Sequence, residues 1–160
     1  MQPAFPKRKP NRLQGYSYSE SGVYFITFCT EKKAKILSTV LPPADALAPP
    51  CIVLKPYGVL TQAAIRAIPM HYAAATVEHY VIMPNHVHLL LRIDNSGGRQ
   101  IAAPTVVGNL KRAVSMEIGR SIWQKGFYDH IVRDESDYRS RWEYIDANPA
   151  RWLAEKDEYF

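Results

Sequence analysis

The sequence predicts an α+β sandwich with helices packed on one face of an antiparallel sheet. Three observations carry this expectation. Strand-like and helix-like segments follow in the order β, α, β, β, α, short strand, helix, an order that builds an antiparallel sheet with helices laid on it. The strand-like runs are rich in β-branched and aromatic residues, whereas the helix-like runs space their apolar residues three and four apart. The 160 residues suffice for one domain (1–160) and leave no room for two full ones.

Residues 1–14 carry Lys7, Arg8, Lys9 and Arg12 among three prolines and read as an extended basic N-terminal arm. Residues 23–30 are β-branched and aromatic nearly throughout and follow Gly22, which predicts a buried strand. Pro42, Pro43, Pro49, Pro50 and Pro56 make 38–56 a Pro-rich loop, interrupted at most by a short strand at Cys51–Leu54. Leu60, Ala63, Ala64, Ala67 and Ile68 predict a helix over 59–72. Two apolar strands, 76–83 and His86–Ile93, are separated by a turn at Pro84-Asn85. Asn95-Ser-Gly-Gly98 is a break. Val106, Val107, Leu110, Val114 and Ile118 form one stripe of a helix over 104–121, with Lys111, Arg112 and Arg120 outside it. Residues 122–132 are strand or irregular. A last helix over 134–147 opens with acids, as the macrodipole favours, and is expected to stop at Asn148-Pro149.

With 47% apolar and 22% charged residues, the chain has globular composition, which excludes full disorder. No apolar run approaches the roughly 18 residues of a membrane span, and the first residues lack the apolar core of a signal peptide. Cys29 and Cys51 cannot build a disulfide framework and suit a reduced cytoplasmic protein. The net charge of +5 is unevenly spread. Seven Lys/Arg stand against two Asp/Glu in residues 1–40, nine against five in 41–133, and four against eight in 134–160. A basic front suggests a polyanionic partner, nucleic acid above all; the plain reading is solubilising charge.

His86 and His88 carry the most information. Residues two apart on a strand share a face, so the imidazoles project together while Val87 points to the other side. Such a pair is a bidentate platform for a metal ion, although a chance or purely structural pair is the ordinary reading of His-x-His. Here the pair opens an otherwise apolar strand, where two polar rings need a reason to be present. Tyr144 and Asn148 lie four apart on the last helix and so share its face. A tyrosine can attack phosphorus and an amide oxygen can ligate a hard cation. The plain alternative makes Tyr144 a packing residue and Asn148 a C-cap.

Five blocks together resemble one known family. They are Arg12-Leu-Gln-Gly-Tyr-Ser-Tyr-Ser19, Gly22-Val-Tyr-Phe-Ile-Thr-Phe-Cys-Thr30, His79-Tyr-Val-Ile-Met-Pro-Asn-His-Val-His88, Trp123-Gln-Lys-Gly-Phe-Tyr-Asp-His-Ile-Val-Arg133 and Tyr144-Ile-Asp-Ala-Asn-Pro149. In that order, from about residue 8 to 151, they resemble the REP-associated branch of the single-tyrosine (Y1) HUH transposases.

The resemblance implies a ferredoxin-like fold of the HUH endonuclease type. It also implies cutting and rejoining of single-stranded DNA beside REP-like hairpins through a 5′-phosphotyrosine. Carried over, it makes His86, His88 and Asn148 ligands of Mg²⁺ or Mn²⁺ and Tyr144 the nucleophile. Tyr138 and Tyr128 compete less well, because Trp142 and Val132 stand where the Asn would be. The implied partner is hairpin-bearing single-stranded DNA in the bacterial cytoplasm, with no membrane, and relatives include monomers and homodimers. Lys7, Arg8, Lys9, Arg12, Lys111, Arg112 and Arg133 are the DNA-contact candidates, and Tyr16, Tyr18 and Trp123 could stack on bases. Solvated charge and core aromatics are the plain readings of these residues.

The sequence departs from relatives at 37–58, which is short and Pro-rich where they carry a strand-turn-strand. It departs again after Pro149. Two rival functions stand beside the transposase: a catalytically silent, domesticated hairpin-DNA-binding regulator, and a His-ligated metal hydrolase using water.

Overall fold

A computed structural model describes residues 21–155, so the basic arm with Lys7, Arg8, Lys9 and Arg12, and the stacking candidates Tyr16 and Tyr18, lie outside the described residues. The elements are β1 (Gly22–Cys29), β2 (Ser38–Leu41), β3 (Cys51–Leu54), α1 (Pro56–His71), β4 (Ala75–Ile82), β5 (His86–Ile93), α2 (Ala103–Ile118), β6 (Tyr128–Ile131) and α3 (Glu135–Glu155). The main sheet runs β4-β5-β1-β6, each neighbour antiparallel, with β5 inserted between β1 and β4. This is the split βαβ arrangement of a ferredoxin-like sandwich, as expected.

Helix ends follow local chemistry. α1 and α2 each begin with a proline in the first turn, where the missing N–H has no partner to lose. α2 stops at Gly119, which takes the left-handed conformation at φ 88° and returns its N–H to Ser115 O at 2.9 Å.

Three expectations are corrected. First, helices cover both faces of the sheet. Tyr24, Ile26, Phe28, Val87, Leu89 and Leu91 face α1 and α2, whereas Val23, Phe25 and Leu90 pack with Ile145 of α3. The central strands are apolar on both sides, and each side must be buried. Second, 38–56 is not a loop throughout: β2 and β3 pair as a hairpin, Ser38 opposite Leu54, and only its tip is Pro-rich. A strand-turn-strand is therefore present where the sequence suggests a loop. Ser38 Oγ donates to Ile82 O at 2.9 Å, and Val40 joins the core under α3. Third, the last helix runs through Pro149 to Glu155. Pro149 cannot donate to the helical ladder. One residue before it, the Asn148 side chain bonds back within the helix, Nδ2 donating to Tyr144 O at 2.7 Å. Asn148 is thus inside the helix and not its cap.

Gly58 marks a close approach: a Cβ there would fall on the Leu37 carbonyl oxygen, which already accepts from Lys55 N–H at 2.9 Å. Gly58→Ala should destabilise by more than about 2 kcal/mol, as overpacking against backbone does. At Gly108 in α2 nothing lies within 4 Å of such a Cβ. Gly108→Ala should therefore stabilise by roughly 0.5–1 kcal/mol. Urea denaturation of both variants checks the opposite signs.

Candidate functional site

On the face covered by α3, cross-strand register sets the site. His88 sits opposite Thr27, and His86 opposite Cys29 at the end of the ladder. The two imidazoles stand edge to face with centroids 4.7 Å apart. Each is steered through its Nδ1: His86 Nδ1 lies 2.7 Å from Asn85 Oδ1, and His88 Nδ1 lies 2.6 Å from Thr27 Oγ1. Asn85 turns its Nδ2 toward Lys33 O at 3.5 Å, so its oxygen faces the ring and places the His86 proton on Nδ1. The lone pair on His86 Nε2 then points to α3.

There Asn148 meets it, with Oδ1 at 3.4 Å from His86 Nε2. The bond from Asn148 Nδ2 to Tyr144 O fixes the amide so that its oxygen, not its nitrogen, faces the imidazole. Two acceptors facing each other in a buried place repel unless a cation lies between them. That is the physical reason this donor set fits a divalent ion. Burial also lowers the His86 pKa to about 4 and, with the His86 charge adding to it, that of His88 well below its ordinary value. Both rings are therefore neutral at pH 7, the form that ligates. Among the described residues no group of three His, Cys, Asp or Glu could hold a metal, because the third donor here is an amide. Exposures of 0%, 1% and 0% for His86, His88 and Asn148 mean that covering side chains must shift before an ion or phosphate enters.

Tyr144, one turn before Asn148, brings its ring to 5.3 Å from His88 and 5.8 Å from Phe25, both edge to face. Arg151, two turns on, places its guanidinium 4.8 Å from the Tyr144 ring centroid. Trp152 lies 6.3 Å from His86. The structure thus brings His86, His88, Tyr144 and Asn148 together. Of the competing tyrosines, Tyr138 donates to Glu78 Oε2 at 2.9 Å, and its pKa is raised by burial and by that carboxylate. Tyr128 is on the edge strand opposite Thr27, with β1 between it and His88.

The remaining contact candidates do not join the site. Lys111 donates to Gln124 O and Gly126 O, each at 2.7 Å, clipping the 122–127 loop to α2. Arg112 is exposed on that same helix, which covers the sheet face away from His86. Arg133 is exposed between β6 and α3, beside Arg92 and Tyr138. Trp123 is 6% exposed and packs edge to face on Phe28 with centroids 5.0 Å apart, so it is a core residue and not a stacking platform. Sequence reasoning missed Thr27, Asn85, Arg151 and Trp152. Arg151 and Trp152 left a signal, spaced three and four residues from Asn148 on the same helix.

Fold and site together define a ferredoxin-like domain with a paired-histidine strand facing a helix-borne tyrosine and amide. No family model matches the chain. It is 26% identical over 176 residues to an uncharacterised protein of Haemophilus influenzae, covering 96% of this chain and 93% of that one. A second protein of that organism, described as a candidate REP-associated tyrosine transposase, is 29% identical over 97 residues, or 48% of this chain and 54% of its own length. Among solved structures, a REP-associated tyrosine transposase bound to a REP hairpin superposes with a TM-score of 0.61 at 19% identity, over 81% of this chain and 67% of that one. The resemblance to REP-associated tyrosine transposases is thus found again in sequence and in fold. Among the described residues no helix is long and apolar enough to cross a membrane.

Proposed function

We propose that this chain is a metal-dependent tyrosine transposase that nicks and rejoins single-stranded DNA beside hairpins. The observation that supports it most is the convergence of His86 Nε2 and Asn148 Oδ1, 3.4 Å apart, next to the Tyr144 ring. His86, His88 and Asn148 would hold Mg²⁺ or Mn²⁺, whose chemistry there is to polarise a phosphate and neutralise charge developing on it. The Tyr144 phenol oxygen attacks phosphorus in line and its proton passes to water, from which the departing 3′ oxygen takes one up. The 3′ oxygen leaves with the electron pair of the broken P–O bond, and the 5′ end stays on Tyr144 as a phosphodiester. A later 3′-hydroxyl reverses the same exchange, which is strand transfer. Asn85 and Thr27 keep the two imidazoles oriented, as partners of ligating histidines do.

Incubation with end-labelled hairpin single-stranded DNA and Mn²⁺ should give a protein–DNA adduct that survives a denaturing gel. Cleavage without adduct would replace this reading by a hydrolase using water. Binding with neither would replace it by a silent DNA-binding regulator.

A further inference from the structure

Between β1 and β2 the chain turns a corner that the proposed chemistry leaves unexplained. Residues 31–35 read Glu-Lys-Lys-Ala-Lys, and Lys32, Lys33 and Lys35 are all exposed. Lys32 and Lys33 both take positive φ, 55° and 54°. This left-handed region is costly for a residue with a Cβ and open to glycine, yet two consecutive lysines occupy it. Backbone held in such a region is found where the surroundings over-determine it, often at functional sites.

The surroundings here are those of the paired histidines. Thr30 N–H donates to Asn85 O at 3.0 Å, and Lys33 N–H returns to Thr30 O at 3.1 Å. Thr30 Oγ1 donates to Ala34 O at 2.8 Å and reaches Asn85 O at 3.1 Å. Asn85 Nδ2 points to Lys33 O, and Asn85 Oδ1 is the group that orients His86. One asparagine therefore fixes both the lysine corner and the imidazole. Lys35 extends its ammonium to 5.5 Å from the Trp152 ring, and Trp152 neighbours His86. Positive charge at Lys33 is also felt at Cys29, the residue opposite His86 in the ladder. Glu31 is the single acid of the corner.

We propose that Lys32, Lys33 and Lys35 form a phosphate-holding rail that seats the DNA single strand at the His86 end of the site. The inference rests on the proposed function and adds to it which residues hold the phosphates flanking the reacting one. Lysines suit that task because ammonium groups act as point charges that attract phosphodiesters without reading bases. The turn fixes where the three lysine stems leave the backbone relative to His86, so their ammonium groups stay within reach of that end of the site.

The test uses the full chain in EDTA, with no chemistry, and a fluorescent hairpin oligonucleotide with a single-stranded flank, titrated by anisotropy from 50 to 300 mM KCl. Each single-strand phosphate contact adds about 0.7 to the slope of log K against log salt. The triple variant Lys32→Gln/Lys33→Gln/Lys35→Gln should therefore lose about 2 from that slope, whereas the triple arginine variant should keep it. A second variant separates charge from folding. Lys32→Gly/Lys33→Gly relieves the positive φ, so its melting temperature should rise while its DNA affinity falls; a merely structural role would leave affinity unchanged. An unchanged slope in the glutamine variant overturns the rail, and the proposed function survives if the wild type still forms the adduct with Mn²⁺. A wild type that binds no single strand overturns both.

Discussion

Tyr144→Phe should abolish the covalent DNA adduct to below detection while leaving hairpin binding within about twofold and stability within about 0.5 kcal/mol. The asymmetry follows from what the substitution removes. The ring survives, and with it the edge-to-face packing on His88 and Phe25 and the Arg151 guanidinium above it. Only the oxygen that would form the phosphodiester is lost, and no neighbouring side chain can replace a missing nucleophile without changing the product. Tyr138 is turned to Glu78 and Tyr128 is one strand removed, so neither inherits the role. The measurement is the denaturing-gel adduct assay alongside anisotropy and thermal melts on the same preparation. An adduct that persists in Tyr144→Phe refutes the assignment, and mapping the modified peptide would then show whether Tyr138 or Tyr128 carries it.

That assignment depends on a pairing the sequence shows only in part. Residues sharing one element were legible: His86 and His88 by the two-residue period, Tyr144 and Asn148 by one helical turn. Their meeting was not, because it depends on which face of the sheet α3 covers. The clue lay in β1, where Val23 and Phe25 are as apolar as Tyr24, Ile26 and Phe28, so both faces needed a cover. β2 escaped because Ser38–Leu41 offers four residues and one full alternation before two prolines, too little signal for the period to register. The helix end differs from the expectation because a proline is normally excluded from a helix interior, whereas here Asn148 beside it is buried against His86, a packing that exists only once α3 lies on the sheet. Asn85 looked like turn chemistry; its second role, orienting His86 while anchoring Lys33, becomes visible only once the strands are paired.

Metal-free protein should lose stability steeply as pH falls from 6.5 to 4, by about 3 kcal/mol from His86 alone. Burial holds the folded-state pKa near 4 against an ordinary value of 6.5. Between those values the unfolded chain binds a proton that the folded chain does not. Stability therefore rises with pH across this window and is lost as pH falls through it; below about 4 both states are protonated and the His86 contribution stops changing. His88, also lowered by burial and by the His86 charge, adds to the loss in the same direction. The same neutral rings are what a divalent ion needs, and the folded chain keeps them neutral across this window, so metal stabilisation should hold where the metal-free protein is losing stability. At pH 7, Mn²⁺ at a hundred times its Kd should add about 2.7 kcal/mol, and the gain should persist to pH 4.5, falling only below about 4, where the folded-state His86 takes up a proton. Urea denaturation at pH 7, 5.5 and 4.5, with EDTA or Mn²⁺, measures both curves. His86→Gln should remove the His86 share of the acid loss in EDTA, leaving that of His88, and should abolish the Mn²⁺ gain. A variant that abolished only one of them would show that the acid-sensitive imidazole and the metal ligand are different groups, and would separate burial of His86 from its proposed purpose.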